Sequence, residues 1–81
     1  MTTWRKEFER VLKGDKLIHN TLTEEKMDVE FDDGWGGTNG EPFTAWSEDY
    51  VYIPAQYDGS EWVERVPRNP CKDKTNHIGG G

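Results

Sequence analysis

Apolar residues recur at Trp4, Phe8, Val11 and Leu12, the i, i+4, i+7, i+8 spacing of a single helix face, with charges over the rest of residues 4–13. Thr2 or Thr3 can cap the start of this helix, and Gly14 falls where a helix-ending glycine belongs. Leu17-Ile18 is too short a run for more than a brief extended segment or turn. A second helix is predicted from Thr23, whose N-cap position puts Glu24 and Glu25 in the first turn, where the helix dipole favours acids. Leu22 and Met27 then have the spacing of a hydrophobic staple, Phe31 follows Met27 by four residues, and Gly34 ends the element. Residues 34–42 hold four glycines in nine positions and read as a loop that carries Trp35.

From Phe43 the period changes to two. Phe43 to Trp46, Tyr50 to Ile53 and Glu61 to Val66 read as strands rich in aromatic and β-branched residues. Asp58-Gly59 between the last two is a strong hairpin signal. Pro54 is compatible with a strand end or an edge and disfavours continued central pairing. The pattern thus predicts an α+β fold, two N-terminal helices packed on a three-stranded antiparallel meander, in one domain over residues 1–70. Residues 71–81 read as a polar tail ending in three glycines. Some of Phe43, Val51, Ile53 and Trp62 should face the helices, but both faces of the strands carry rings, so the inward parity stays open. A sheet apolar on both sides has one face left for a partner.

Composition sharpens this picture. Leu, Ile, Val and Phe number only 14 of 81 residues, so the ten aromatic residues must carry much of the core. No apolar run is long enough to span a bilayer, and Met1 to Lys16 lacks the apolar stretch of a signal peptide. The single Cys71 precludes an internal disulfide, and a reducing cytoplasm is the expected compartment. Net charge of -6 argues against direct nucleic-acid binding and against docking on anionic membranes. The charge is unevenly spread: residues 23–49 hold nine acids (Glu24, Glu25, Asp28, Glu30, Asp32, Asp33, Glu41, Glu48 and Asp49) against one base, Lys26. Such a block repels itself unless a cationic partner or ion relieves it. A solvated acidic helix that keeps the chain soluble is the alternative.

The constellations that carry chemistry are weak. An EF-hand loop begun at Asp28 would place Asp33 where glycine is required, and one begun at Glu30 places Trp35 there. Cys71, His19 and His77 are too few and too scattered for a structural zinc site. A Cys71/His77 or Cys71/His19 pair lacks a nucleophile elbow or an oxyanion loop, and residues 34–40 lack the phosphate-cradle pattern. No enzyme activity, cofactor or metal is therefore expected. Trp35, Trp46, Tyr50, Tyr52 and Tyr57 are the candidate display rings, since Trp and Tyr commonly anchor interfaces.

The run from Leu22 through Gly37, with Gly40-Glu-Pro-Phe-Thr-Ala-Trp46, Val51-Tyr-Ile-Pro54, Tyr57-Asp-Gly59 and Val66-Pro-Arg-Asn-Pro70, resembles short uncharacterised proteins of bacteriophages and prophages. In size, acidity and lack of enzyme motifs the chain is also similar to phage anti-defence proteins, including anti-CRISPR proteins. That likeness implies an inhibitor in the host bacterial cytoplasm, whose partner is the basic surface of a nucleoprotein complex such as a CRISPR effector. The expected contact residues are Glu24, Glu25, Asp28, Glu30, Asp32, Asp33, Trp35, Glu48 and Asp49, which would mimic nucleic acid in a basic channel. Such a protein works as a monomer or weak dimer. The competing expectation is a small structural or regulatory phage protein that self-associates through a strand edge or a spare aromatic face.

Overall fold

The computed structural model describes residues 1–34 and 37–79. Helix α1 spans Trp4–Leu12, strand β1 His19–Asn20, helix α2 Glu24–Met27, and strands β2, β3 and β4 Ala45–Trp46, Tyr50–Tyr57 and Ser60–Pro67. The fold is α+β, with the strands in one antiparallel sheet ordered β1-β2-β3-β4. The sheet therefore has four strands rather than the three expected. The added β1 is two residues long, pairing His19 with Trp46 and Asn20 with Ala45, and two residues are too few to show a period.

Thr3 caps α1, its hydroxyl accepting a hydrogen bond from the Lys6 N–H at 3.2 Å. The helix closes at Lys13, which is left-handed (φ 47°) one residue before the glycine, and Gly14 continues the turn at φ 90°. Thr23 caps α2 as predicted, accepting from the Lys26 N–H. That helix stops at Met27, however, and does not run on to Gly34. Phe31 leaves the helical path because it bridges Thr2, each N–H donating to the other carbonyl at 2.9 Å. Gly34 likewise bridges Ser60. A helix turn would supply Phe31 with one local hydrogen bond, whereas the bridge supplies two and delivers the ring to Trp4.

The Asp58-Gly59 turn has both residues at positive φ (49° and 85°), the twist a two-residue hairpin needs. It sets Tyr57 opposite Ser60 and so fixes every later pair, including Pro54 with Val63 and Tyr50 with Pro67. Counting from the turn, both prolines fall at non-hydrogen-bonded pairs, where the backbone N–H points away from the partner strand. Pro54 thus sits inside β3, paired with β4, and costs the hairpin no ladder bond. On its other side β2 has already ended at Ala45, opposite Tyr52.

Pairing also decides the parity. Ala45, Tyr52 and Val63 point to the helices and join Trp4, Phe8, Leu22, Met27, Phe31 and Phe43 in the core. Of the four residues from which the inward set was expected to come, Phe43 is in the core, and the parity left open by the pattern puts Val51, Ile53 and Trp62 on the opposite face. Tyr52, a candidate display ring, is fully buried. Trp4 is the centre of the core, with its ring centroid 4.7 Å from Phe31 and 4.9 Å from Phe43. Phe8 continues the cluster to Phe43 at 5.1 Å and Tyr52 at 5.9 Å. Residues 71–79 carry no helix or strand, but Ile78 is half-buried and the tail lines a cleft with Tyr50, Glu64 and Pro67.

Replacing Phe8, 1% exposed, by Ala should cost about 3–5 kcal/mol in urea unfolding. A Cβ on Gly40 would lie 2.6 Å from the Trp4 ring, while one on Gly37 would meet nothing within 4 Å. Gly40→Ala should therefore destabilise by about 1–3 kcal/mol, with Gly37→Ala within about 1 kcal/mol of the parent. Equal midpoints for the two glycine variants would contradict this packing.

Candidate protein-interaction surface

The acidic block divides between two places. Thr23 starts α2 and projects Glu24, Glu25 and, at its end, Asp28 to solvent, with Glu30 just beyond. Arg5 of α1 sits between two of them, donating from Nε to Asp28 Oδ1 at 2.7 Å and from Nη2 to Glu24 Oε2. These hydrogen bonds, Asp28 first and Glu24 second, raise the Arg5 pKa, and the same guanidinium lowers that of Asp28. Lys26 pairs with Glu41 at 3.1 Å. Three of the nine acids are thus matched by the chain's own cations. Such exposed pairs add little to stability, but they lessen the charge left for a partner.

Asp32 and Asp33 continue the acidic ridge towards the hairpin turn. Asp32 Oδ1 accepts from the Gly34 N–H, and the Asp33 carbonyl accepts from the Glu61 N–H at 3.1 Å. Glu48 and Asp49 occupy the β2–β3 turn at the far end of the sheet. The eight residues of β3 separate them from the hairpin turn by about 24 Å at ~3.4 Å per residue. Glu24, Glu25, Asp28, Glu30, Asp32 and Asp33 thus follow one another along the segment from α2 to the Gly34–Ser60 bridge, an acidic ridge in sequence order, and Glu48 and Asp49 lie apart from it. Trp35, the expected aromatic anchor, lies outside the described residues. Among the described residues, Glu25, Glu30, Asp32, Asp33, Glu48 and Asp49 form no ion pair.

Two buried carboxylates were not singled out by sequence. Glu61, 4% exposed, accepts from the backbone N–H groups of Asn39 (2.8 Å) and Gly40 (2.9 Å) and so pins the glycine-rich loop to β4. Glu7, 2% exposed, accepts from the Thr2 hydroxyl at 2.6 Å. The signal for Glu61 was the hairpin turn itself, which assigns Glu61 the inward parity of Val63.

A polar cluster closes the other end of the core. The Tyr52 hydroxyl donates to Asp15 Oδ2 at 2.7 Å, and buried Ser47 accepts from the Tyr50 N–H and, at its carbonyl, from Arg68 Nη1. Hydrogen bonds from Ser47 and Tyr52 hold the Asp15 carboxyl below its usual range, whereas burial and Asp15 push the Tyr52 phenol up. Both groups keep their usual protonation states more firmly than in water. The Arg65 guanidinium lies over the Tyr50 ring, 4.0 Å from its centroid.

The second face of the sheet, built by pairs on from Trp46–Val51 and Val51–Val66, carries Trp46, Val51, Ile53, Trp62, Val66 and Glu64, all half-buried. None of them belongs to the core cluster. His19 packs against Trp46 with ring centroids 5.4 Å apart, Tyr57 is exposed, and Cys71 is a free, exposed thiol. Among the described residues no group of three or more His, Cys, Asp or Glu is placed to hold a metal, and no helix is long and apolar enough to cross a membrane. Comparisons with family models, with curated proteins and with solved structures return no match to this chain.

The depressed Asp15 pKa sets a pH dependence. Its stabilisation is complete above the unfolded value near 3.8 and is lost as pH falls through the lower folded value. Urea midpoints at pH 7 and pH 3 should therefore converge for Asp15→Asn relative to the parent chain. An unchanged acid-induced loss in the variant would show that Asp15 contributes none of it.

Proposed function

We propose that this chain is a non-catalytic binding protein that lays its acidic ridge on a basic protein surface, competing there with nucleic acid. This is the mode expected of phage-encoded inhibitors of host defence complexes such as CRISPR effectors, acting in the bacterial cytoplasm. The observation that carries the reading is the unpaired remainder of the ridge. Arg5 and Lys26 answer Glu24, Asp28 and Glu41, yet Glu25, Glu30, Asp32 and Asp33 stay without a cation among the described residues. Self-repulsion along such a ridge is relieved when a cationic surface meets it, and the same field speeds encounter. The separation of Glu48 and Asp49 confines this surface to α2 and the segment leading to the hairpin turn.

Capture from bacterial lysate followed by identification of the bound complex supplies the target for a kinetic test. Reversal of Glu25, Glu30, Asp32 and Asp33 to Lys should slow association by about tenfold or more and flatten its salt dependence, with dissociation little changed. Prior loading of the target with its nucleic acid should block binding. Association that ignores both the reversal and the nucleic acid would reject the proposal.

A further inference from the structure

The geometry points to the second face of the sheet as a docking surface for one extended, basic segment of a partner protein, with an Arg or Lys side chain received by Glu64. The inference rests on the reading of the chain as a binder of basic protein surfaces and adds an apolar contact to it. Register places Trp46, Val51 and Val66 side by side across three strands, with Ile53 beside Glu64 and Trp62 beyond. Among the strand residues of this face Glu64 is thus the acid, set among five half-buried apolar side chains and buried Ala55.

The carboxylate is oriented. Trp62 Nε1 donates to Glu64 Oε2 at 3.0 Å, leaving the other oxygen for a second donor. Arg65 and Lys74 line a cleft with Glu64, yet neither forms an ion pair with it among the described residues. The two tryptophans add ring faces of the kind that hold a guanidinium. A cation carried between aliphatic residues matches this arrangement, because the aliphatic neighbours cover the Val and Ile side chains while the charge meets Glu64.

Size and charge both disfavour a second copy of the chain as the occupant. Three rows along the strands and three strands across give a footprint of about 14 by 10 Å, far below the roughly 800 Å² each partner buries in a stable complex. A two-fold contact through this face would also bring two Glu64 carboxylates together, in chains that each carry a net charge of -6. One extended segment fits the footprint.

The probe is a soluble synthetic peptide with one Arg between two Val-Leu pairs and Ser-Gly flanks, beside a twin carrying Gln for Arg. Each is titrated into the isotopically labelled full-length chain and followed by NMR. The Arg peptide should shift the indole N–H signals of Trp46 and Trp62 saturably and leave Trp4 unmoved, with the Gln twin binding at least about fivefold more weakly. Glu64→Gln, which keeps an acceptor for Trp62, should reduce the Arg peptide to the level of its twin. Trp62→Phe should weaken both peptides. Reversal of the four ridge acids should leave peptide affinity within about twofold. Equal binding by the parent and Glu64→Gln, shifts confined to α2, or no shift at about 1 mM peptide would overturn the inference. So would a dimer in sedimentation that buries Trp46 and Trp62. If the ridge reversal alone abolishes binding, the docking face is wrong and the acidic-ridge proposal stands. If only Glu64 and Trp62 matter to target binding, the ridge proposal falls and this one stands.

Discussion

Burial of the Trp4 ring is the contact on which the rest of the structure depends. A single side chain at the start of α1 meets Phe31 and Phe43, touches the backbone of Gly40, and donates its indole N–H to the Glu41 carbonyl at 3.0 Å. Those partners are scattered over residues 31–43, whose described residues form no helix and no strand beyond the bridges of Phe31 and Gly34. Trp4 therefore organises by tertiary contact what local propensity leaves undecided. Full burial of such a ring contributes on the order of 3 kcal/mol, a large share of the ~5–15 kcal/mol that a small domain possesses. Glu61 completes the arrangement by holding the same loop from the sheet side through two backbone N–H groups.

Features encoded locally were the ones legible in the amino-acid sequence. The Thr3 and Thr23 caps, the apolar stripe of α1 and the Asp58-Gly59 turn each depend on residues within a few positions of one another, and each appears where the pattern puts it. The parity of the strands was also encoded, in the hairpin register, but alternation alone could not reveal it, because Tyr52 and Val63 on one face are matched by Val51, Ile53 and Trp62 on the other. Features that depend on distant pairing were illegible. Phe31 leaves α2 to bridge Thr2, 29 positions away, and β1 exists only because β2 comes to lie beside it. Pro54 shows the same division: its lost N–H is harmless only on the side where β2 has ended.

For the candidate site, sequence composition located the charge but not its disposition. Nine acids within residues 23–49 look like one patch when the chain is written as a line. Folding carries two of them to the opposite end of β3 and places Arg5, from outside the block, between two others. Arg5 belongs to a helix outside the block, so the neutralisation required knowing that α1 packs beside α2. What survives is a narrower ridge, and on the proposed reading a narrower ridge is a more selective one, since complementarity must then be matched over one edge rather than over a whole surface.

Charge on a ridge and apolar rings on a sheet face solve different parts of a binding problem. Long-range attraction raises the rate of encounter and is screened by salt, whereas desolvated rings act only on contact and govern how long a complex lasts. A chain this small cannot place both on one surface without exposing its core, because its scarce Leu, Ile, Val and Phe are needed inside. The meander resolves the conflict geometrically. Its inner face, with Tyr52 and Val63, closes over Trp4 and Phe8, and its second face carries Trp46, Trp62, Val51, Ile53 and Val66 around Glu64. Strand alternation, fixed by one two-residue turn, thereby divides the apolar residues between the core cluster and the second face of the sheet.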